Sequence, residues 1–235
     1  MNKKVAIITG ASTGIGKYLS IELSKKEYIV ILISRSIEKL QSVKKTIDKN
    51  GDECILIESD ISKESSIEKI FKKIKSFNNI DILINNAGLG IFNKIENITT
   101  SEWDIQINTN LRGSFMMTKN IIPFMKKNNN GKIVFINSVA GLKAYPYSSA
   151  YVASKFGLRG FASSIREELR KDNIKVISVH PGAIDTPFWD EIKGDFPREK
   201  MLSSEDISKS IVSSILSPNN LVNEEIVIRS IVGDL

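Results

Sequence analysis

Residues 138–155 carry side chains whose types and spacing suit proton transfer. Tyr151 and Lys155 stand four residues apart at the start of a predicted helix, so they share a face and their ends can approach one another. A phenol titrates near ~10, and a neighbouring ammonium favours its ionised form, so we expect Lys155 to lower the pKa of Tyr151. Ser138 could then hold a substrate oxygen. The same spacing also fits an ordinary exposed pair on a helix, and the rest of the chain has to decide between these interpretations.

The elements that must position these residues alternate between strands and helices. Short apolar runs bounded by turn residues predict strands, and apolar residues at helical spacing predict helices between them. Strands are predicted at residues 5–9, 29–33, 54–57, 82–84, 133–136, 174–179 and 226–228. This alternation is typical of an α/β fold in which helices cover both faces of a doubly wound parallel sheet. Since the sequence contains no repeat or linker, residues 1–235 are predicted to form a single domain.

The helical pattern is clearest at three places in the second half of the chain. One long helix is predicted over residues 103–125, another over residues 151–171 and a last one over residues 207–216. Residues 183–203 contain several Pro and Gly residues and lack a clear period. They are predicted to form a mobile substrate loop with room for one short helix.

Composition and charge narrow the class of protein. With 235 residues, 41% of them hydrophobic and 26% charged, the sequence is typical of a soluble globular protein, and no apolar run approaches the roughly 18 residues that span a membrane. The basic N-terminus has an apolar run too short for a signal peptide, so we expect a cytoplasmic protein. The formal net charge of +6 is spread over predicted helix faces beside glutamates, which disfavours nucleic acid and membranes as partners.

The content of cysteine and histidine excludes two kinds of site. With Cys54 as its one cysteine, the chain cannot form an intramolecular disulfide, and with His180 as its one histidine it has little material for a zinc site. We therefore predict no metal site. Cys54 lies in an apolar run and is expected to be a small core residue. His180 precedes Pro181 at a strand end and is expected to be part of the scaffold, without a catalytic role.

A glycine-rich turn between the first strand and the first helix indicates a nucleotide site. Residues 9–16 read Thr-Gly-Ala-Ser-Thr-Gly-Ile-Gly. Glycines allow a tight turn and the close approach of a pyrophosphate, whose charge meets the helix N-terminus. The Gly-x-x-x-Gly-x-Gly spacing departs from the usual Gly-x-Gly-x-x-Gly, and a turn without a ligand is the alternative. We predict that the cofactor contacts Gly10, Ser12, Thr13, Gly14, Ile15 and Gly16.

The end of the second strand bears on the choice between NAD and NADP. An acidic residue there would bind the adenosine ribose of NAD, but this chain has Ser34 and Arg35, and an arginine attracts a 2′-phosphate. We therefore favour NADP(H), with a solvated arginine at a helix start as the alternative. Asp60 and Ile61 follow the third strand near the expected adenine. The fourth strand ends in small residues and an amide that let the chain pass close to a cofactor, namely Asn86, Ala87 and Gly88.

Taken together, these residues resemble the short-chain dehydrogenase/reductase family, and the resemblance covers the whole chain. The motifs occur in the family's order and approximate spacing: Thr-Gly-x-x-x-Gly-Ile-Gly at 9–16, Asp60, Asn-Asn-Ala-Gly at 85–88, Asn110, Ser138, Tyr151-x-x-x-Lys155 and Pro181-Gly182. Each motif alone is weak, but jointly they are highly specific. The resemblance implies a single Rossmann-type domain with about seven strands that binds NAD(P)(H) and interconverts alcohols and carbonyls.

The resemblance also implies a role for each residue of the catalytic motif. Tyr151 would be the general acid in reduction and the base in oxidation, while Lys155 would lower its pKa and bind the nicotinamide ribose. Ser138 would orient the carbonyl, and Asn110 would hold a water that links Lys155 to solvent. Simpler alternatives are a strand-end hydroxyl for Ser138 and a helix-kinking amide for Asn110. The segment over the nicotinamide would consist of Pro181, Gly182, Ile184 and Thr186.

One position departs from the pattern of NADP-using members of the family. The residue before the second glycine of the turn is often basic in those members, and it is Thr13 here. The NADP prediction therefore depends mainly on Arg35.

Several aromatic residues are candidates for the substrate pocket. Phe188 and Trp189 lie in the irregular segment and could close over an apolar substrate, although they could also merely anchor the loop. Tyr145 and Tyr147 lie between Ser138 and Tyr151 in the sequence and could line the same pocket. By resemblance, we expect a homodimer or homotetramer that pairs through its long helices.

The sequence therefore predicts an NADP(H)-dependent oxidoreductase acting on a small-molecule carbonyl or secondary alcohol. A 3-oxoacyl-[acyl-carrier-protein] reductase is the alternative within this class, because a basic protein could dock an acidic carrier. From a different class, a non-catalytic dinucleotide-sensing protein would keep the glycines and lose the Tyr or the Lys. Both Tyr151 and Lys155 are present, which argues against a sensor.

Overall fold

The centre of the fold is a parallel sheet of seven strands. The structure is a computed structural model that describes residues 3–190, 192, 194, 196–218 and 220–233. The large sheet contains β1 (Val5–Thr9), β2 (Ile29–Ser34), β3 (Cys54–Glu58), β4 (Ile82–Asn85), β5 (Gly131–Ile136), β6 (Ile174–Pro181) and β9 (Glu225–Ile228). A second sheet contains the two short strands β7 (Ile184–Asp185) and β8 (Leu202–Ser203). The seven-stranded order is β3-β2-β1-β4-β5-β6-β9, and every pair is parallel. This confirms the predicted doubly wound α/β fold.

Helices cover both faces of the sheet. They are α1 (Gly14–Ser24), α2 (Ile37–Lys49), α3 (Glu64–Ile74), α4 (Thr100–Ile107), α5 (Ser114–Lys127), α6 (Ser149–Leu169) and α7 (Ser204–Ile215). Helices α1, α2 and α7 contribute to one apolar cluster, while α3, α5 and α6 contribute to the other. Within β1, Val5 and Ile7 point into one cluster and Ala6 and Ile8 into the other. Because both faces of the inner strands β1, β2, β4 and β5 are buried, these strands read as continuous apolar runs.

The strand order reverses between β1 and β4, and this reversal positions the site. The chain moves from β1 outward to β3 on one side and from β4 outward to β9 on the other. In a parallel sheet the loops that leave neighbouring strands at such a point separate, and a crevice opens at the carboxyl ends. The glycine turn after β1 and the loop after β4 border this crevice.

The single long helix predicted over residues 103–125 is interrupted. Helix α4 ends at Ile107, a π-helical segment runs from Asn108–Gly113, and α5 follows from Ser114. Segments of this kind occur often at functional sites, because the wider turn displaces one residue from the regular helical position. Asn110 lies within this segment, and its contacts are described below.

The substrate loop has more regular structure than predicted. Within residues 183–203, β7 pairs in parallel with β8, and short 3₁₀ turns form at Pro187–Trp189 and Arg198–Lys200. Residues 191, 193 and 195 of this predicted loop lie outside the described residues. The two-residue strands are too short to give a periodic sequence pattern, which explains why the sequence did not indicate them.

Asp81 connects the amino ends of β1 and β4, far from the crevice. Its carboxylate accepts hydrogen bonds from the backbone amide of Val5 at 2.8 Å and from the side-chain amide of Asn79 at 2.8 Å. Asp81→Ala is expected to lower the free energy of unfolding by about 1–3 kcal/mol, because it leaves the buried amide of Val5 without its acceptor. Urea titration measures the loss.

The matched control is Asp48→Ala, because Asp48 pairs with Lys44 at 2.8 Å on the exposed face of α2. Exposed helix pairs of this kind contribute less than about 0.5 kcal/mol. Equal losses of stability in the two variants would contradict a special role for Asp81.

Candidate active site

One cavity of about 830 Å³ runs along the carboxyl edge of the sheet, from the glycine turn to Tyr151. Every residue predicted for the site lines this cavity except Gly16 and Asn110, which lie behind its wall. Sequence reasoning had not predicted Phe92, which also lines it. Phe92 follows the small-residue segment after β4, and an aromatic residue in a loop that leaves a cofactor-facing strand was the available sequence signal.

The glycine turn is held in place by side chains at the end of β4. The amide nitrogen of Asn86 donates to the carbonyls of Thr9 at 2.9 Å and Gly10 at 3.1 Å. The Thr9 hydroxyl accepts from the backbone amides of Asn86 at 3.0 Å and Ala87 at 3.1 Å. Asn86 therefore acts on the cofactor site by fixing the turn.

Two glycines of the turn are required by its geometry. Gly10 has a φ of +64°, a conformation that side chains disfavour. A Cβ on Gly16 would collide with the carbonyl oxygen of Gly10 and the side-chain amide of Asn86. Since no side chain caps the N-terminus of α1, its amides can bind an anion, and the cradle fits a pyrophosphate.

Polar side chains border the end of the cavity where the adenosine is expected. The Ser34 hydroxyl donates to the Ser12 hydroxyl at 2.8 Å. Ser36 accepts from the backbone amide of Lys39 at 3.2 Å and thereby caps α2. Arg35 lies between them, is exposed, and has no ion-pair partner in the described part of the chain. Its guanidinium is therefore available to an anionic ligand.

Asp60 is engaged in a local turn at the same end. Its carboxylate accepts from both the backbone amide of Ser62 at 3.0 Å and the Ser62 hydroxyl at 2.7 Å. These bonds hold the residues after β3 against the cavity, which Asp60 and Ile61 both line.

At the opposite end of the cavity lie Ser138 and Tyr151, and a side-chain bond from Ser138 acts to lower the pKa of the phenol. The Ser138 hydroxyl also accepts from the backbone amide of Ala140 at 3.0 Å, which fixes its position at the end of β5. Burial raises the pKa of Tyr151 to about 12, and the bond to Ser138 opposes that rise. The expectation that Lys155 lowers this pKa is not met in this structure, because the desolvation of the phenol dominates.

Lys155 lies beneath the tyrosine ring and is itself buried. Its ammonium is 5.6 Å from the centroid of the Tyr151 ring and donates to the carbonyl of Ile136 at 3.0 Å. Burial lowers the pKa of Lys155 to about 8. Gly88 lies close to the same ammonium. A Cβ at this position would lie 3.7 Å from the Lys155 ammonium and 3.2 Å from the Asn110 side-chain oxygen, so the lack of a side chain keeps this space open.

The side chain of Asn110 joins the loop after β4 to helix α6. Its oxygen accepts from the backbone amide of Leu89 at 2.9 Å, and its nitrogen donates to the Leu89 carbonyl at 2.9 Å and to the Ser154 hydroxyl at 2.9 Å. Ser154 donates in turn to the carbonyl of Tyr151 at 2.7 Å. The amide is thus fully used in positioning, and a water held by Asn110 stays a prediction.

His180 supports Ser138 from within the sheet. Its Nδ1 lies 3.2 Å from the carbonyl oxygen of Ser138, and burial lowers the pKa of the imidazole. A neutral ring with its proton on Nδ1 satisfies this contact. The side chain touches the backbone of Ser138, in keeping with the scaffold role predicted for it.

Two aromatic rings flank the phenol of Tyr151. The ring centroids of Phe92 and Tyr151 are 5.4 Å apart, those of Tyr151 and Phe188 are 5.8 Å apart, and those of Phe92 and Phe188 are 6.2 Å apart. A Cβ on Gly90 would meet the ring edges of both phenylalanines. The reacting end of the cavity is therefore apolar and aromatic.

Arg198 stabilises the loop of residues 183–203 through hydrogen bonds within it, and the sequence did not predict these contacts. Its guanidinium donates to the carboxylates of Asp185 at 2.6 Å and Asp190 at 3.0 Å and to the carbonyl of Thr186 at 3.0 Å. The indole nitrogen of Trp189 donates to the Ile184 carbonyl at 2.9 Å. These bonds fix the segment that carries Ile184, Thr186 and Phe188 along the cavity wall.

Two kinds of site are absent from the described residues. They contain no group of three or more His, Cys, Asp or Glu side chains that could hold a metal ion. No helix in the same ranges is long and apolar enough to cross a membrane.

Comparison with known families gives a match over most of the chain. A sequence profile described as short chain dehydrogenase matches residues 4–195. A sepiapterin reductase of Chlorobaculum tepidum is 34% identical over 241 residues, which cover 99% of this chain and 98% of that protein. An uncharacterized oxidoreductase of Bacillus subtilis is 33% identical over 198 residues, which cover 83% of this chain and 70% of that protein.

Solved structures resemble the chain over nearly its full length. An alcohol dehydrogenase from the archaeon Thermococcus sibiricus, complexed with 5-hydroxy-NADP, superposes with a TM-score of 0.90 at 29% identity and covers 97% of each chain. A metagenomic short-chain oxidoreductase in complex with NADP has a TM-score of 0.85 at 30% identity and covers 96% of each chain.

The burial of Lys155 predicts a pH dependence of stability. Between its lowered pKa of about 8 and its ordinary value of 10.5, the unfolded chain binds a proton that the folded protein does not. Raising the pH through this window therefore stabilises the fold, by at most about 3 kcal/mol. Lys155→Met is expected to lack this gain, and urea unfolding between pH 7 and pH 10 measures it.

Burial also lowers the pKa of Lys132 to about 8. Since Lys132 is present in both the wild-type protein and Lys155→Met, its contribution to the pH dependence of stability cancels when the two are compared. A parallel pH dependence of stability in the wild-type protein and Lys155→Met would contradict the assignment.

Proposed function

Because the chain belongs to the short-chain dehydrogenase family of oxidoreductases, we propose that it is an NADP(H)-dependent enzyme that interconverts a carbonyl and a secondary alcohol. The observation that carries the proposal is that Ser138, Tyr151 and Lys155 line one end of the cavity together, with the Lys155 ammonium 5.6 Å from the centroid of the Tyr151 ring. This arrangement holds a dissociable proton where a substrate oxygen can bind.

In reduction, Tyr151 donates its proton to the carbonyl oxygen, which the hydroxyl of Ser138 also holds. A phenol with a pKa of about 12 is protonated at neutral pH and so is ready to donate. Lys155, whose pKa is about 8, is mostly charged at neutral pH. In surroundings of low polarity its positive charge stabilises the phenolate that remains after transfer.

The nucleotide would be held by the glycine turn, the N-terminus of α1 and the segment from Pro181 to Thr186. A nicotinamide cofactor, when bound, supplies or accepts the hydride. The chain's own residues orient it: Asn86 fixes the turn, and Arg198 fixes Thr186 at the opposite wall. Gly88 keeps space open beside the Lys155 ammonium, where a ribose hydroxyl would bind.

The preference for NADP(H) follows from the chemistry around Arg35. Arg35 has no ion-pair partner among the described residues and lines the same cavity as Ser12 and Ser34, whose hydroxyls are hydrogen-bonded to each other. A 2′-phosphate would form charge-assisted hydrogen bonds with these groups. The two NADP-type complexes among the similar structures also support the preference.

Reduction of sepiapterin is the second candidate function. It is favoured by the relative of that name from Chlorobaculum tepidum, which is 34% identical over 99% of this chain. The carrier-protein reductase predicted as an alternative gains no further support from the site, since a flexible acyl chain does not require the aromatic cluster around Tyr151. The sensor alternative is disfavoured because Ser138, Tyr151 and Lys155 are all present and line one cavity.

The predicted homodimer or homotetramer stays a prediction. It is supported by exposed aromatic side chains, which a partner subunit could cover. Trp103 on α4, Phe115 on α5 and Phe156 on α6 are exposed by about two-fifths of their surface, at 37%, 42% and 43%. These are the helices through which pairing is expected.

Tyr151→Phe tests the catalytic assignment. Removing the hydroxyl is expected to lower kcat for NADPH-dependent reduction of a panel of aldehydes and ketones by at least about 100-fold, since general acid catalysis contributes that much or more. The affinity for NADPH should change little, as titrated by NADPH fluorescence. Retained turnover would exclude Tyr151 as the acid, and tight NADPH binding without turnover by the wild-type protein would favour the sensor.

Arg35→Ala tests the NADP preference. The variant is expected to lose roughly tenfold or more in affinity for NADPH and little in affinity for NADH, because one hydrogen-bonded charge contributes about 1.5–3 kcal/mol. The control Lys45→Ala removes the same charge from an exposed position of α2 that does not line the cavity. Equal losses for the two nucleotides would argue against contact with a 2′-phosphate.

A further inference from the structure

Tyr147 has a backbone conformation that ordinarily favours glycine or asparagine. Its φ is +61°, it is among the residues that line the cavity, and 61% of its surface is exposed. A bulky residue in the left-handed region is an outlier, since its Cβ crowds the following carbonyl. Such strain is found mainly where a side chain is needed for function.

The backbone contacts around Tyr147 do not explain why a tyrosine stands there. Its carbonyl accepts from the backbone amide of Asn93 at 2.8 Å, and the Ser148 hydroxyl donates to the carbonyl of Tyr145 at 2.7 Å. A glycine or an asparagine at position 147 would preserve both bonds without the strain. The loop geometry therefore does not require the ring.

The aromatic contacts and hydrogen bonds among the described residues do not involve the ring of Tyr147. Within the described part of the chain, it stacks on no other aromatic ring, and its phenol makes no hydrogen bond. An aromatic side chain left unpartnered at the border of an apolar cavity is available to a ligand. Phe92 and Phe188 surround the reacting phenol deeper in the same cavity.

We propose that Tyr147 is a specificity-determining residue that stacks on planar aromatic ketones and aldehydes while their carbonyl group reaches Tyr151. This inference rests on the proposed function and adds the substrate class. A flat ring gains from offset or edge contact with another ring, whereas a saturated or flexible group gains only from the burial of its surface. The aromatic lining and the unpartnered Tyr147 together favour the flat substrate.

The test compares acetophenone with cyclohexyl methyl ketone, which share one carbon skeleton but differ in the flatness of the ring. The ratio of their kcat/KM values is measured with NADPH for wild type, Tyr147→Asn and Tyr147→Phe. Tyr147→Asn is expected to lower the ratio, in favour of the saturated ketone, by about three- to tenfold. Tyr147→Phe keeps the ring and is expected to keep the ratio.

Thermal unfolding separates binding from structure. Tyr147→Asn should raise Tm, because asparagine tolerates the left-handed conformation and the ring holds nothing in place. The matched control is Glu27→Asn, at an exposed position with a φ of +63° in the turn between α1 and β2. It should also raise Tm and leave the substrate ratio unchanged.

The outcomes distinguish this inference from the proposed function. If both ketones are reduced and Tyr147→Asn leaves their ratio unchanged, the inference is wrong while the proposed function stands. A lower Tm for Tyr147→Asn, or a changed oligomeric state with an unchanged ratio, would assign the ring to structure and overturn the inference. If the protein reduces no carbonyl compound, the proposed function fails, and the inference fails with it.

Discussion

The three hydrogen bonds of the Asn110 side chain hold the nucleotide half of the site and the catalytic helix in one arrangement. They join the backbone of Leu89, next to the cofactor-facing loop, to Ser154, which bonds the carbonyl of Tyr151. Asn110 is 1% exposed, so each of these polar groups would be costly to leave unpaired. The π-helical segment from Asn108–Gly113 carries this amide.

Burial sets the protonation state of the catalytic groups more strongly than their mutual charges do. Desolvation raises the pKa of Tyr151 and lowers that of Lys155, and both shifts favour the neutral forms. Their spacing suggested a lysine that assists ionisation of the resting phenol. The structure instead keeps the phenol protonated and holds the ammonium against the Ile136 carbonyl, 5.6 Å from the ring centroid. In the proposed reaction, the positive charge therefore matters most once the proton has left.

The sequence predicted those features that depend on local pattern. Apolar runs in buried strands, glycines in the turn after β1 and the Tyr151–Lys155 spacing are each visible within a few residues, and the fold and family they indicated are confirmed. Features that depend on contacts between distant segments were not predictable. The π-helical segment requires Leu89 and Ser154, the fastening of the substrate loop requires Arg198 to meet Asp185, and the pKa of Tyr151 requires knowledge of its burial.

The same distinction explains why the cofactor is easier to predict than the substrate. The nucleotide half is built from backbone groups and small residues whose positions follow from strand ends and one helix N-terminus. The proposed substrate half contains aromatic residues on three separate loops, represented by Phe92, Tyr147 and Phe188, and their spacing in the sequence carries no period. Backbone strain can still identify a residue of this half, because a side chain retained at an unfavourable φ indicates a requirement that packing does not explain. Tyr147 meets that condition, and it lies where the cavity opens to solvent.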